Sequence, residues 1–281
     1  MDDLSSINNA INKRAGRKLL PSILVSLLIL GLVFVLLKIH PIAFSALVLV
    51  AVMVGIRELN HAFKRADIVI PSYFLEIASI IVVVSAYVAH ISGLAIAAAF
   101  TIPNLFVFLL ALAPAEFIKR ISAAAMAIFY VPFLAGFIVL LAHDENRVNR
   151  ILTLVVLVAC NDTFAYVSGV LFGKRPLAPH ISPKKTWEGL IGAFVATTII
   201  SSVVFHFGFE KPWWLGLIFG ILGVATATAG DLIESAIKRD LNIKDMGSLL
   251  PGHGGVLDRI DSVLFTAPSR SEEHTSELQS H

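Results

Sequence analysis

"LVVLVACNDTFAYVSGVLFG", residues 154–173, carries one charge, Asp162, in an otherwise apolar run. About 20 mostly apolar residues suffice for a helix to cross the hydrocarbon core of a bilayer. A carboxylate at that depth is costly unless it is paired or meets a water-filled cavity. Asn161 and Tyr166 stand close enough in sequence to share such a cavity. A hydrogen bond between packed helices needs no charge, so Asp162 is read as a functional group on a membrane helix.

Working outward, similar runs recur at 19–38, 41–57, 69–89, 91–113, 121–142, 188–207 and 212–233. Of the 281 residues, 57% are hydrophobic and 15% charged, and the mean hydropathy is +0.82. So few charges cannot cover a water-facing surface, which excludes a soluble globular domain. The expected fold is all-α: a polytopic integral membrane protein with about eight complete transmembrane helices. The first run follows Lys13, Arg14, Arg17 and Lys18, exceeds a signal-peptide core in length and has no small-residue cleavage site behind it. It reads as a retained span behind a basic N-terminal segment, residues 1–18. Cys160, the single cysteine, excludes an intrachain disulfide and any multi-cysteine metal site, and reads as a small core residue.

Charge placement sets sidedness. With the N-terminus in the cytoplasm, that side receives the first basic cluster and then Arg57, Lys64, Arg65, Lys119 and Arg120. It also receives Lys174, Arg175, Lys184, Lys185, Lys238, Arg239, Lys244 and Arg259. The other side receives Lys38, Arg147, Arg150 and Lys211. The positive-inside rule therefore places the N-terminus and the loop after the eighth run in the cytoplasm.

Two polar segments on that side carry candidate chemistry. In "HISPKKTWEGLIGAF", 180–194, Ser182-Pro183 reads as a helix start, which would put Lys184 and Lys185 at a helix N-terminus. Cations destabilise a helix start, so this placement points to an anionic ligand. Trp187 reads as an interfacial anchor. In "TATAGDLIESAIKRDLNIKDMGSLLPGHGGVLDRIDS", 226–262, Asp231, Ser235 and Lys238 share one helical face, and Arg239 and Lys244 add charge. The glycines of Pro251-Gly252-His253-Gly254-Gly255 permit the positive φ and close backbone approach that phosphate cradles require. Asp258 and Asp261 lie three apart on the helix that should follow. With Asp231 they offer three hard oxygen ligands, suited to Mg²⁺ held jointly with phosphates. His253 is read either as a general base or as a ligand to backbone or phosphate.

"SAIKRDLNIKDMGSLLPGHGGVLDRID" resembles the signature of the phosphatidate cytidylyltransferases, or CDP-diacylglycerol synthases. The match falls on Ser235, Lys238, Arg239, Lys244, Asp245, Pro251, Gly252, His253, Gly254, Gly255, Asp258, Arg259 and Asp261. "NDTFAYVSGVLFGK" and "SPKKTWEG" are also similar to the family, which more often has glycine where Phe164 stands. The strong resemblance covers about 150–262, the expected catalytic part of a single membrane-embedded domain at 19–268; the earlier spans share hydropathy and layout alone. It implies condensation of CTP with phosphatidate to CDP-diacylglycerol and pyrophosphate, for phospholipid biosynthesis. It also implies Mg²⁺ at Asp231, Asp258 and Asp261, with a second cation left open, and functional roles for Ser235 and Lys238. The family's helical fold, homodimer and bacterial inner-membrane location are expected with it; no nucleic-acid partner is. The catalytic set is Ser235, Lys238, Asp258 and Asp261. The substrate-binding set is Asp162, Ser182, Lys184, Lys185, Arg239, His253, Gly254, Gly255 and Arg259.

Beyond Asp261 the apolar residues stop at "SVLFTAP", short of a ninth span. "SRSEEHTSELQSH", 269–281, differs in character from everything before it and resembles a translated sequencing adapter, so it is read as non-native and the ninth helix as truncated. Two other functions fit parts of the pattern: a CTP-dependent lipid kinase, and a transporter coupled through Asp162. The unbroken PGHGGxLDRxD segment favours the cytidylyltransferase, and the lack of an internal repeat argues against the transporter.

Overall fold

The computed structural model describes residues 19–112, 116–247, 249 and 254–271, with side chains described from residue 28 to residue 269. His253, Pro251 and Gly252 therefore lie outside the described residues, as do segment 1–18 and residues 272–281. The protein is an all-α membrane protein with, among the described residues, one small β-hairpin. In chain order come α1 (Leu19–Ile39), α2 (Pro41–Arg65), α3 (Ser72–Leu112), α4 (Phe117–Leu141) and α5 (Arg147–Phe172). Then follow β1 (Pro176–Ala178), β2 (Ser182–Thr186), α6 (Trp187–Gly208), α7 (Trp213–Asp240) and α8 (Leu257–Ser271). Among the described residues six helices, α2 to α7, are long and apolar enough to cross a membrane.

Local chemistry explains most boundaries. His40 starts α2: its Nδ1 accepts from Ile42 N–H at 3.2 Å, and Pro41 occupies the first helical position, where no N–H is needed. The expected runs 69–89 and 91–113 appear as one 41-residue element broken at Ala89 and His90, where φ is −123° and +53°. The counted spans are two fewer than the apolar runs, because these two runs form one element and because only residues 28–39 of α1 have described side chains. Pro132 in α4 cannot donate a backbone hydrogen bond, and a π turn at Phe129–Phe133 absorbs the gap.

The start of α6 corrects one sequence expectation. Ser182 and Pro183 do not open a helix. Residues 182–186 form β2, paired antiparallel with β1, and the cap of α6 is Thr186, whose Oγ1 accepts from Gly189 N–H at 3.1 Å. Thr186 wins because it is followed by an uninterrupted helical sequence, whereas strand pairing with Pro176–Ala178 satisfies the preceding backbone. Lys184 and Lys185 consequently sit on an extended segment, whose side chains alternate between faces.

Small residues set the helix spacing. Cβ atoms on Gly216 and Gly220 of α7 would stand 2.6 Å from Ser202 Cα and 2.8 Å from Thr198 Cα of α6. A Cβ on Gly230 would stand 2.9 Å from Phe265 Cβ and 3.0 Å from the Asp261 carbonyl oxygen of α8. Such close crossing is how helices gain packing energy where lipid competes for apolar contacts. Among the described residues, the larger of two buried apolar clusters includes Ile56 and Leu59 of α2, Leu134 and Val139 of α4, and Leu257 and Leu264 of α8; the smaller is formed by Leu157, Phe205 and Phe219. Many large apolar side chains face outward, such as Phe100, Val107 and Val170, as a lipid-facing surface requires. Cys160 is half-buried rather than a core residue.

Candidate active site

The site forms where the C-terminal end of α7 meets the N-terminal end of α8 and the hairpin. Asp231, Glu234 and Asp261 each present a carboxylate oxygen to a common centre, with these atoms within 4.8 Å of one another. Asp231 and Glu234 are three apart on α7, hence on one face, and Gly230 lets α8 bring Asp261 against them. Glu234 and Asp261 are buried, at 2% and 7% exposure. Glu234 Oε1 is buried with no hydrogen-bond partner.

Two lysines flank this centre. Lys185, from β2, forms an ion pair with Asp231. Lys238 lies between Glu234, one turn back on α7, and Asp258 of α8, to whose Oδ1 it donates at 2.9 Å. The other oxygen of Asp258 accepts from Met246 N–H at 2.9 Å and Gly255 N–H at 2.8 Å. Asp258 therefore ties Lys238 of α7, Met246, Gly255 and the start of α8 together. The sequence put Asp258 in one oxygen set with Asp231 and Asp261; the fold brings Asp231 and Asp261 together with Glu234, while Asp258 contacts Lys238, the loop N–H groups and Glu234.

The remaining expected residues spread around this centre. Asp162 accepts from Asn161 Nδ2 at 3.2 Å and lies within electrostatic reach of Asp231, Lys185 and Arg259. Arg239 donates from Nε to the Ile181 carbonyl at 3.2 Å, beside a shallow, open depression lined by Ile181, Ala236, Ile237, Arg239 and Asp240. Ser235 is half-buried on the same α7 turn, and Ser182 is half-buried on β2. Lys184 is exposed. Gly254 has φ +83°, the left-handed conformation its loop position demands. Gly255 is buried, and its N–H is already engaged by Asp258.

Sequence reasoning missed three residues. Glu234 had a signal, its three-residue spacing from Asp231 on a helix that carries the motif. Tyr130 sits in the π turn of α4, 3% exposed, its hydroxyl without a partner, its ring 5.6 Å from that of Phe265 and under the field of Asp261, Glu234, Asp231 and Asp258. Glu58 of α2 accepts from Val256 N–H and Leu257 N–H, both at 3.0 Å. Neither Tyr130 nor Glu58 has a sequence neighbour that announces it.

The protein is thus a helical membrane protein with a charged centre of three carboxylates and two lysines where two helices and a hairpin meet. The chain belongs to the cytidylyltransferase family, whose profile matches residues 21–271. It is similar to the phosphatidate cytidylyltransferase of Mycobacterium bovis, with 42% identity over 154 residues, 55% of this chain and 50% of that protein. The phosphatidate cytidylyltransferase of Haemophilus influenzae shows 39% identity over 150 residues, 49% of this chain and 51% of that protein. That of Thermotoga maritima shows 36% over 167 residues, 55% of this chain and 59% of that protein. The chain spans about half the length of the curated relatives it matches.

Proposed function

We propose that the protein transfers a cytidylyl group from CTP to phosphatidate, with CDP-diacylglycerol and pyrophosphate as products. The observation that carries this reading is the Asp231–Glu234–Asp261 cluster, with Glu234 and Asp261 buried, held between Lys185 and Lys238. The names of the similar proteins supply the substrate pair. A phosphate oxygen of phosphatidate attacks the α-phosphorus of CTP, a new P–O bond forms, and the bond to the pyrophosphate oxygen breaks. The nucleophile is already an anion and needs no general base. The barrier is repulsion between two polyanions, so catalysis is positioning and charge neutralisation.

The carboxylate set fits Mg²⁺. Its donors are hard oxygens, and the unpartnered Glu234 Oε1 is a buried acceptor that a cation would satisfy. Asp231, Glu234 and Asp261 would hold the ion, which when bound neutralises charge on the transferring phosphate. Lys185 and Lys238 stand at the rim of that centre as cations for phosphate oxygens, with Lys184, Arg239 and Arg259 as further phosphate contacts. Ser235 serves as a hydroxyl contact on the same turn. Asp258 keeps Lys238 in place and closes the loop over it.

The same reading places the site on the cytoplasmic side of a bacterial inner membrane, with the N-terminus inside. It takes the two arms of α3 as separate spans, which with α1 makes eight, and α8 as the start of a ninth. It takes the working protein as a homodimer. Membranes containing the protein, given labelled CTP, phosphatidate and Mg²⁺, should yield a CDP-lipid on thin-layer plates. A new lipid phosphate with released CDP would instead identify a kinase, and no turnover would reject the assignment.

A further inference from the structure

Glu58 lies in α2, outside every motif of the sequence, yet its carboxylate sits at the start of α8. Its two oxygens take the N–H groups of Val256 and Leu257, one each, at 3.0 Å. These are among the first N–H groups of the helix, which lack partners within it and favour a negative charge. The loop is shaped around this carboxylate. A Cβ on Gly255 would stand 2.5 Å from Glu58 Oε2, and one on Gly247 would collide with the same group. One turn earlier in α2, a Cβ on Gly55 would stand 3.6 Å from Leu257 Cδ1, and Leu257 is fully buried. Ile56 and Leu59 of α2 belong to the same buried apolar cluster as Leu257, so α2 holds α8 by apolar packing and a two-oxygen clamp. The residue after Leu257 is Asp258, and Asp261 follows within one turn.

We propose that Glu58 is a positioning residue: by clamping the first turn of α8 it sets where Asp258 meets Lys238 and where Asp261 meets Asp231 and Glu234. The proposal rests on reading that carboxylate cluster as a metal site. Glu58 is an internal anion in the glycine loop, so the N–H groups of Val256 and Leu257 serve the protein rather than a substrate phosphate. The glycines at 247 and 255 are required by the clamp.

The test is Mn²⁺ binding to the purified full chain in detergent, followed by electron paramagnetic resonance, with hydrogen exchange at Val256 and Leu257 in parallel. Glu58→Gln keeps the shape, removes the charge and turns one acceptor toward a donor. It should speed exchange at both amides and weaken Mn²⁺ binding about tenfold, the lower end for groups that orient metal ligands. Glu58→Ala should weaken it further, toward about 100-fold. Glu76→Gln, which breaks the ion pair with Arg57 on the neighbouring helix face, should leave Mn²⁺ affinity unchanged. Wild-type Mn²⁺ affinity in a folded Glu58→Gln protein overturns the proposal and leaves the metal reading standing. If the unsubstituted chain binds Mn²⁺ no better than Asp261→Asn, the metal reading itself fails and the proposal falls with it.

Discussion

At the residue scale the two lysines do different work. Lys238 has 17% side-chain exposure and pairs with two carboxylates, those of Glu234 and Asp258, at 2% and 4%. Removing one partner of a buried ion pair strands the other charge, at about 3–5 kcal/mol. Lys238→Ala should therefore lower the melting temperature in detergent as well as turnover, and an unchanged melting temperature would contradict this picture. Lys185 and Asp231 are about a third exposed and their pairing adds little stability. Lys185→Ala should leave the melting temperature nearly unchanged and cut kcat about 100-fold, the scale expected for one lost charge-stabilising donor. Asp261→Asn should reduce Mg²⁺-dependent turnover by at least about 100-fold through the loss of one ligand oxygen. Retained turnover would remove Asp261 from the ligand set.

At the element scale the site depends on how closely α7 and α8 cross. Gly230 faces the Asp261 carbonyl and Phe265 with no room for a methyl group. Gly230→Ala should push α8 outward, cost about 1–3 kcal/mol of stability from overpacking, and weaken Mn²⁺ binding. Full Mn²⁺ affinity in that variant would mean that the crossing distance does not set the cluster. The π turn of α4 makes a second case. It places the Tyr130 hydroxyl in the interior without a partner. Tyr130→Phe removes an unsatisfied buried group and should raise stability by about 1 kcal/mol. If turnover falls at the same time, the hydroxyl serves the bound state. The α6 start belongs to this scale too: Ser182-Pro183 had the residues of a helix cap, but pairing with β1 claimed them, and Thr186 took the role.

At the scale of the whole molecule, groups from distant parts of the chain gather at two ends. Glu58, Lys185, Asp231 and Asp258 meet at one end, whereas Arg147 reaches the Leu37 carbonyl, at 2.9 Å, at the other. Orientation can be tested with an impermeant thiol reagent in a Cys160→Ala background. Asp67→Cys, in the exposed turn after α2, should react only after the cells are opened, and Glu145→Cys, exposed between α4 and α5, should react in intact cells. The reverse pattern would invert the proposed sidedness.

The sequence by itself determined the membrane class, because hydropathy over about 20 residues is a local property. It likewise determined the Asp231–Lys238 face and the helix that carries Asp258 and Asp261, since helical periodicity relates near neighbours along the chain. Only the tertiary structure decided which carboxylates share a centre. Asp258 and Asp261 are equivalent by spacing, yet one turns to Lys238 and loop N–H groups and the other to Asp231 and Glu234. Glu58 joins from almost 200 residues away, a separation printed in no local pattern. Such pairings follow from where glycines let helices approach and from which buried donors still lack an acceptor, and both are settled only when the helices pack.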